Sequence, residues 1–566
     1  MARKWVIPDV DWGLVETIGK ELEIPSPVAR VLVNRGVRDP EEGRSFLLPS
    51  LRGLHPPEAM ADMDKAVGRI LEAMEKKEPL FLYGDYDADG LTSVALIKSF
   101  FSSIGVEATP VIPNREVDGY GFHSNLLPDP KGGRGLVITA DCGISDCEEI
   151  RRATSRGLDV IVTDHHEPGE VLPQACAVLN PKRKDNSYPF RELAGVGVVF
   201  LLVWALAKRL KEKGFWPKGK EPSLKRFLDL VALGTVADQA PLIKENRILV
   251  KHGLSEMDKI QRPGIMALME VAATRSISVG SITFQLAPRI NAPGRLDSAM
   301  TALELLLSQD LQEARELASI LDGMNRRRQE IEEEVLREAE LMASEHAMAG
   351  KGALVLARRG WHPGVLGIVA SRLVERFEVP VVLISLEEKI GKGSARAPDG
   401  YDMMDGLRHC SQFLERFGGH RSAAGLKIQP DALEEFREAL SRHAKEVLGP
   451  RRGHGILRID DKLEPNQLDE NLLNSLIKLE PHGIGNPEPT FEVGEMEVMG
   501  SRRIENRHIK FSMRRGNSTF EAIGFNLAGQ IPEPTHGRVR VACTPQINEW
   551  NGKRTVQLKL KDLQVL

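Results

Sequence analysis

The sequence predicts an α/β protein: a parallel-sheet domain and a second α/β domain joined by long helices, with a small β-barrel at the C-terminus. Three observations carry this. Short branched apolar runs at Leu80–Tyr83, Leu136–Thr139 and Val160–Thr163 each lead into a polar cluster, the signature of successive strand–loop–helix units. The segment Ser308–Ala347 is charged, nearly free of glycine and helical in period. Beyond residue 455 the pattern shortens to alternating runs, His508–Met513, Arg538–Ala542 and Arg554–Leu560, which suit antiparallel strands.

Taken in order, residues 1–75 read as an N-terminal adaptor of short helices. Leu80–Tyr83 is a buried strand, and Leu91–Ile104 has helical periodicity. Leu136–Thr139 ends at Asp141, with a helix expected from Ser145; Val160–Thr163 ends at Asp164. The longest apolar stretch, Leu193–Ala207, is shorter than the roughly 18 residues of a membrane span and reads as a buried helix. Lys211–Ser223, rich in Lys, Gly and Pro, reads as a surface insertion. Ser308–Ala347 forms one or two long helices, with Gly323 as a break or bend. A second α/β unit begins near Gly352, with strands Leu354–Leu356 and Val381–Ile384 around a helix Val365–Phe377.

At 566 residues the chain has room for several domains, and a hydrophobic content of 42% supports real cores. The net charge of −4 provides no global basic field, so a nucleic acid would need a local patch or groove. Five cysteines with no CxxC pair speak against a disulfide framework, and Cys142 and Cys147 read as structural. The N-terminus MARKWVIPDVDW lacks the apolar core of a secretion signal. A reducing cytoplasm and no membrane association are expected.

Four clusters carry the chemistry: GDYDADG with Asp85, Asp87 and Asp89; TADCG with Asp141; TDHH with Asp164, His165 and His166; and GTVADQAPL with Asp238. Each alone has an ordinary explanation, such as a calcium-like turn or a helix cap. Three of them end strands of one parallel sheet, where ligands bind. Carboxylates that converge without a cation repel one another. Mixed with imidazole they suit Mn²⁺ or Mg²⁺. Asp87, Asp89, Asp141, His165 and Asp238 supply the ligand types for two-metal hydrolysis. Asp85 is a further ligand or supports one. His166 has three roles open to it: ligand, phosphate contact, or proton donor to the leaving group. Asp164 either ligates or orients a histidine.

These segments resemble the four motifs of the DHH phosphoesterase superfamily, named for the triplet at Asp164–His166. ENRILV, APRINAPGRL, HPGVLGIVASRLVERF, GSAR, FGGHRSAAGL and GIGNPEPTF narrow the resemblance to the RecJ-type exonucleases specific for single-stranded DNA, over roughly residues 75–566. The resemblance implies a 5′→3′ exonuclease that releases mononucleotides with two Mn²⁺ or Mg²⁺ ions, acting in DNA repair and recombination. The implied ligands are Asp87, Asp89, Asp141, His165 and Asp238, with His166 beside the scissile phosphate. The implied organisation is a DHH catalytic domain over 76–305, connecting helices over 306–350, a DHH-associated domain over 351–453 and an OB-fold over 454–566. A helicase and a single-strand-binding protein are the family's working partners.

The resemblance further implies that Ser394 and Arg396 of GSAR grip the DNA 5′-phosphate. Arg289 and Arg295 are further phosphate candidates, and His420 ranks above His362 as a substrate contact. Phe491, Phe511 and Trp550 are the candidates for base stacking, and Arg326–Arg328 is the most visible basic run. Two positions depart from the family pattern: Gln239 stands for an apolar residue, and His482 for Phe. Two alternatives remain in view. One is a phosphodiesterase of short RNA or cyclic dinucleotides, against which residues 455–566 argue. The other is a non-catalytic nucleic-acid scaffold, against which the full ligand set argues.

Overall fold

Alternation along the strands builds the first sheet. Leu80 and Leu82 enter one core and Phe81 and Tyr83 the other; Leu136 and Ile138 likewise oppose Val137. The computed structural model describes residues 3–115, 117–130, 132–259, 262–345, 352–449, 456–505, 507–516, 518–550 and 553–566, the side chains of residues 345, 550 and 553 excepted. The strands Thr109–Val111, Leu80–Gly84, Gly135–Ala140, Leu158–Thr163 and Ala177–Leu179 lie side by side in that order, all parallel. Helices Met63–Lys76, Ala88–Ser103 and Gly195–Glu212 cover one face; helix Cys147–Ser155 and the segment around Phe122 cover the other. From Leu80–Gly84 the chain passes to one neighbour, Thr109–Val111, and then to the opposite one, Gly135–Ala140. The strand order therefore reverses between Leu80–Gly84 and Gly135–Ala140, which opens a crevice at their carboxyl ends. The apolar stretch at Leu193 is the buried helix Gly195–Glu212, and among the described residues no helix is long and apolar enough to cross a membrane.

One unbroken helix, Leu311–Glu345, joins the two α/β domains. Gly323 does not break it, which corrects the expected break. No atom lies within 4 Å of the position its Cβ would occupy. A lone glycine costs a helix about 1 kcal/mol, which the packing at both ends offsets. Ala314, Ala318 and Leu321 enter the first core, whereas Val335, Ala339 and Ala343 enter the core of the second domain. At 35 residues the helix spans about 52 Å.

The second domain is a mixed sheet in the order Leu414–Gly419, Ala423–Ile428, Gly391–Arg396, Val381–Leu386, Leu354–Arg359; only the last two strands pair in parallel. Helix Pro363–Phe377 packs on one face, and helices Met403–His409 and Leu433–Leu448 on the other. GSAR lies on strand Gly391–Arg396.

The C-terminal strands Phe491–Ile504, His508–Arg515, Ser518–Gly524, Lys553–Val565 and Gly537–Trp550 close into a barrel, because the first also pairs with the last. Phe491 and Phe511 are fully buried in its core, so the structure removes both as base-stacking candidates. The side chain of Trp550 lies outside the described set. The barrel core is completed by the N-terminal helices Trp12–Glu21 and Ser26–Asn34, through Val15, Ile18, Val28 and Leu32. Arg30 and Arg35 pair with Asp461 and Asp460 at 2.6 and 2.9 Å, and strand Lys4–Val6 pairs with Ile456–Arg458. The segment read as an adaptor thus divides. Its first helices belong to the barrel, while Met60 and helix Met63–Lys76 belong to the catalytic core.

Candidate metal centre and phosphate pocket

Each acidic cluster is held by the backbone next to it. Asp87 caps helix Ala88–Ser103, accepting from the Asp89 and Gly90 N–H groups at 3.1 and 3.2 Å. Asp89, in the first turn of the same helix and fully buried, accepts from the Gly195 and Val196 N–H groups that start helix Gly195–Glu212, at 2.7 and 2.8 Å. The free amides at that helix N-terminus thus fix a carboxylate. Asp141 takes a left-handed φ of 64°, and its N–H bonds to Thr163 O. A Cβ on Gly195 would stand 2.8 Å from Asp141 Oδ1, so only glycine lets the helix approach this closely. Asp238 ends helix Leu228–Ala237. Asn291 Oδ1 accepts from the Ala88 N–H at 2.7 Å and pins the first loop from outside the sheet.

The clusters converge. His165 Nε2 lies 3.1 Å from Asp141, 3.8 Å from Asp238 and 3.9 Å from Asp89. Three sets of donors lie within 4.8 Å of one another: Asp89, His165 and Asp238; Asp85, Asp87 and Asp141; and Asp141, His165 and His166. Asp141 alone links the sheet-end carboxylates to both histidines. Asp164 stays outside these sets. It accepts from the His165 and His166 N–H groups and from Ile144 N, and its Oδ1 lies 2.8 Å from His166 Nδ1. These contacts fix the position of the His166 ring.

The electrostatics are those of like charges forced together. Burial, reinforced by Asp87, lifts Asp85 well above the carboxylate range; burial, with Asp89 and Asp87, does the same to Asp141. Burial and Asp87 raise Asp89 to about 7, and burial and Asp89 raise Asp238 to about 8. Burial, with His166 beside it, lowers His165 to about 3, which leaves a neutral imidazole. Burial acts the other way on the remaining pair, but their contact overcomes it: Asp164 falls to about 2 and His166 rises to about 9. Asp141 Oδ1 and His165 Nε2 are buried without a hydrogen-bond partner. Two orphaned acceptors facing each other among raised carboxylates fit a divalent cation of the Mn²⁺ or Mg²⁺ kind.

Beside the carboxylates, cations from both domains gather: Arg115 and Arg295 from the first and Arg396 from the second. Arg295 is enclosed, donates to Gly364 O at 3.2 Å and is lowered to about 10 by burial, then by Arg115. Arg396 donates to Ser394 Oγ and to its own strand's Ala395 O; burial and Arg115 lower it too. Among the described residues neither has a carboxylate partner. Gly367 makes room, since a Cβ there would lie 2.6 Å from the Arg396 guanidinium. Half-buried guanidinium groups with no carboxylate ion pair among the described residues suit an anion. His420, at the tip of the hairpin Leu414–Ile428, stacks on His166 at 5.6 Å and 19° between rings. The second domain thereby touches the Asp-His-His cluster.

Other expectations are redirected. Arg289 is paired with Asp322 of the long helix at 2.8 Å and also bonds Gln285 O, so the structure does not bring it into the anion pocket. His362 caps helix Pro363–Phe377. Arg326 and Arg327 are exposed and paired, whereas Arg328 is buried against Glu332. Cys142 and Cys147 belong to none of the donor sets. Two contributors carried no signal in sequence: Arg115, a lone cation in a polar loop, and Tyr120, whose hydroxyl stands 3.4 Å from His166 Nε2; Asn291 lies within the APRINAPGRL motif, but nothing in sequence points to its bond with the first loop.

A chain with a carboxylate–imidazole centre at a parallel-sheet switch point, faced by an arginine pocket, is a metal-dependent phosphoesterase in class. Sequence comparison agrees: the DHH family, N-terminal domain, matches residues 79–235, the DHHA1 domain 350–446 and the RecJ OB domain 459–562. Relatives named single-stranded-DNA-specific exonuclease RecJ include that of Dickeya dadantii, 37% identical over 95% of this chain and 96% of its own. That of Bacillus subtilis is 35% identical over 99% of this chain and 71% of its own. The crystal structure of RecJ from Thermus thermophilus with Mn²⁺ superposes with a TM-score of 0.83 at 33% identity, over all of this chain and 80% of that one. A second from the same organism, with Mg²⁺, gives a TM-score of 0.77 at 30% identity, over all of this chain and 78% of that one. The chain belongs to the RecJ family of single-stranded-DNA-specific exonucleases.

Proposed function

We propose that this protein degrades single-stranded DNA from the 5′ end, releasing 5′-mononucleotides. The observation that carries the reading is Asp141, shared between donor sets on one side of the crevice while an uncompensated arginine pocket faces it from the other. Bound divalent ions supply an activated water and offset charge on the reacting phosphate. The chain's own residues do the rest. Ser394, Arg396, Arg295 and Arg115 hold the terminal 5′-phosphate, which places the first phosphodiester at the carboxylates. His166, kept protonated by Asp164, donates to the 3′-oxygen as its bond to phosphorus breaks. His420 stacks on that ring and keeps it facing the substrate. The barrel binds the trailing strand in a groove. A helicase that exposes single strands and a single-strand-binding protein are the partners this activity calls for, and the cytoplasm is the compartment.

The experiment is digestion of a strand labelled at either end, beside its duplex, with Mn²⁺. Immediate release of a 5′-labelled mononucleotide, with the duplex spared, is expected. Release from the 3′ end, or activity confined to dinucleotides, refutes the reading.

A further inference from the structure

The helical run that reaches the metal loop begins with an irregular turn. Ile282–Leu286 is a π-helix, set between the single turn Val279–Ser281 and helix Ala287–Asn291. A π-turn holds an extra residue and shifts side chains off the α-helical register. Here Ile282 and Leu286 are buried, yet Phe284 between them is 79% exposed. The π-helix and the turn Ala273–Ser278 enclose a cleft of about 390 Å³, lined by Phe284 and by Arg275, Ser276 and Ser278. Thr274 Oγ1 bonds to Gln285 Oε1 and ties the two walls together. Arg275 is exposed, and no carboxylate among the described residues pairs with it.

A bare phenyl ring, an unpaired guanidinium and hydroxyls around one small polar cleft match the parts of a nucleotide. A base stacks on the ring, and a phosphate meets the arginine. Position supports this occupant. Seven residues beyond Phe284, Asn291 bonds the Ala88 N–H inside the metal loop. Phe284 therefore stands about 10 Å along one helical run from Asn291, the residue that touches the metal loop. About three stacked nucleotides, at about 3.4 Å each, cover that distance.

We propose that this cleft is a nucleotide subsite for the strand entering or leaving the metal centre, with Phe284 stacked on a base and Arg275 on the adjoining phosphate. The inference rests on the exonuclease reading above and adds residues that neither the motifs nor the arginine pocket include.

The test uses the full chain and a fluorescent 12-nucleotide oligothymidylate, with binding read in chelator and turnover in Mn²⁺. Phe284→Ala should raise both Kd and KM about tenfold, with kcat within about twofold, and Phe284→Trp should restore them. Arg275→Ala should reduce the slope of log K against log salt by about 0.7, the loss of one phosphate contact on a single strand. Unchanged Kd and KM in Phe284→Ala would overturn the subsite. So would a fall in kcat alone, which would mean that Phe284 merely shapes the metal loop. A parent protein that binds the strand but never shortens it would instead remove the exonuclease reading; the subsite would then survive only if Phe284→Ala still weakened binding.

Discussion

Asp141 is crowded by Asp89, Asp87, Asp238 and Asp85, and burial adds to their repulsion. That crowding has a pH signature. Asp89 at about 7 and Asp238 at about 8 bind protons more tightly folded than unfolded, as does His166 at about 9. Their contributions are full at low pH and are lost as pH rises through those values. His165, lowered to about 3, contributes nothing variable above its unfolded value of roughly 6.5. With chelator, Tm should therefore fall from about pH 6.5 to about pH 8.5, and Mn²⁺ should restore it most at the upper end, where it displaces fewest protons. A flat Tm across that window would contradict the picture of like charges that need a cation. At the pocket, Arg396→Ala should weaken use of 5′-phosphorylated strands roughly 10- to 100-fold; an equal loss on 5′-hydroxyl strands would dissociate it from the terminal phosphate. The converging carboxylates are legible in sequence because each lies in a short motif, at a strand end or, for Asp238, at a helix end. Arg115 and the bond from Asn291 to the metal loop are not, because their partners are brought close only by folding.

The element that does most for the centre is helix Gly195–Glu212. Its first two N–H groups hold Asp89, and its first residue lies against Asp141. Gly195→Ala should displace that carboxylate and lower kcat about 100-fold, the usual effect of a misplacement near 1 Å, while the protein remains folded by circular dichroism. A near-parental rate would show that the close approach is dispensable. In sequence this helix is visible only as an apolar run; periodicity reports that a helix is buried but not what its N-terminus faces. Gly323 is the converse. Its residue type signals a break, but a glycine on an open face of a helix anchored in two cores has nothing to break it. The π-turn at Phe284 is invisible because its composition is that of any amphipathic helix.

The whole molecule is tied together by Arg247. It is fully buried, donates to the carbonyls of Phe46, Lys478, Leu479, Glu480 and Pro481, and lies 4.0 Å over the Phe46 ring. One side chain from helix Lys244–Lys259 thus joins the N-terminal segment, the catalytic core and the entry to the barrel. Arg247→Met leaves five carbonyls without that donor. It should expose Lys478–Pro481 to faster hydrogen exchange and raise KM for long strands more than for short ones; unchanged exchange there would refute the keystone role. The domain order is legible from changes in periodicity, but the return of the N-terminal helices to the C-terminal barrel is not. Val15 and Phe491 share a core across most of the chain, and no local pattern encodes such a pairing.

Everything proposed for the centre depends on Asp141 as the shared ligand. Calorimetric titration of Mn²⁺ into the parent and into Asp141→Ala, alongside cleavage of a 5′-phosphorylated strand, tests it most directly. Two ions bound by the parent are predicted, with fewer bound and no cleavage in the variant. An unchanged stoichiometry with cleavage retained would contradict the claim.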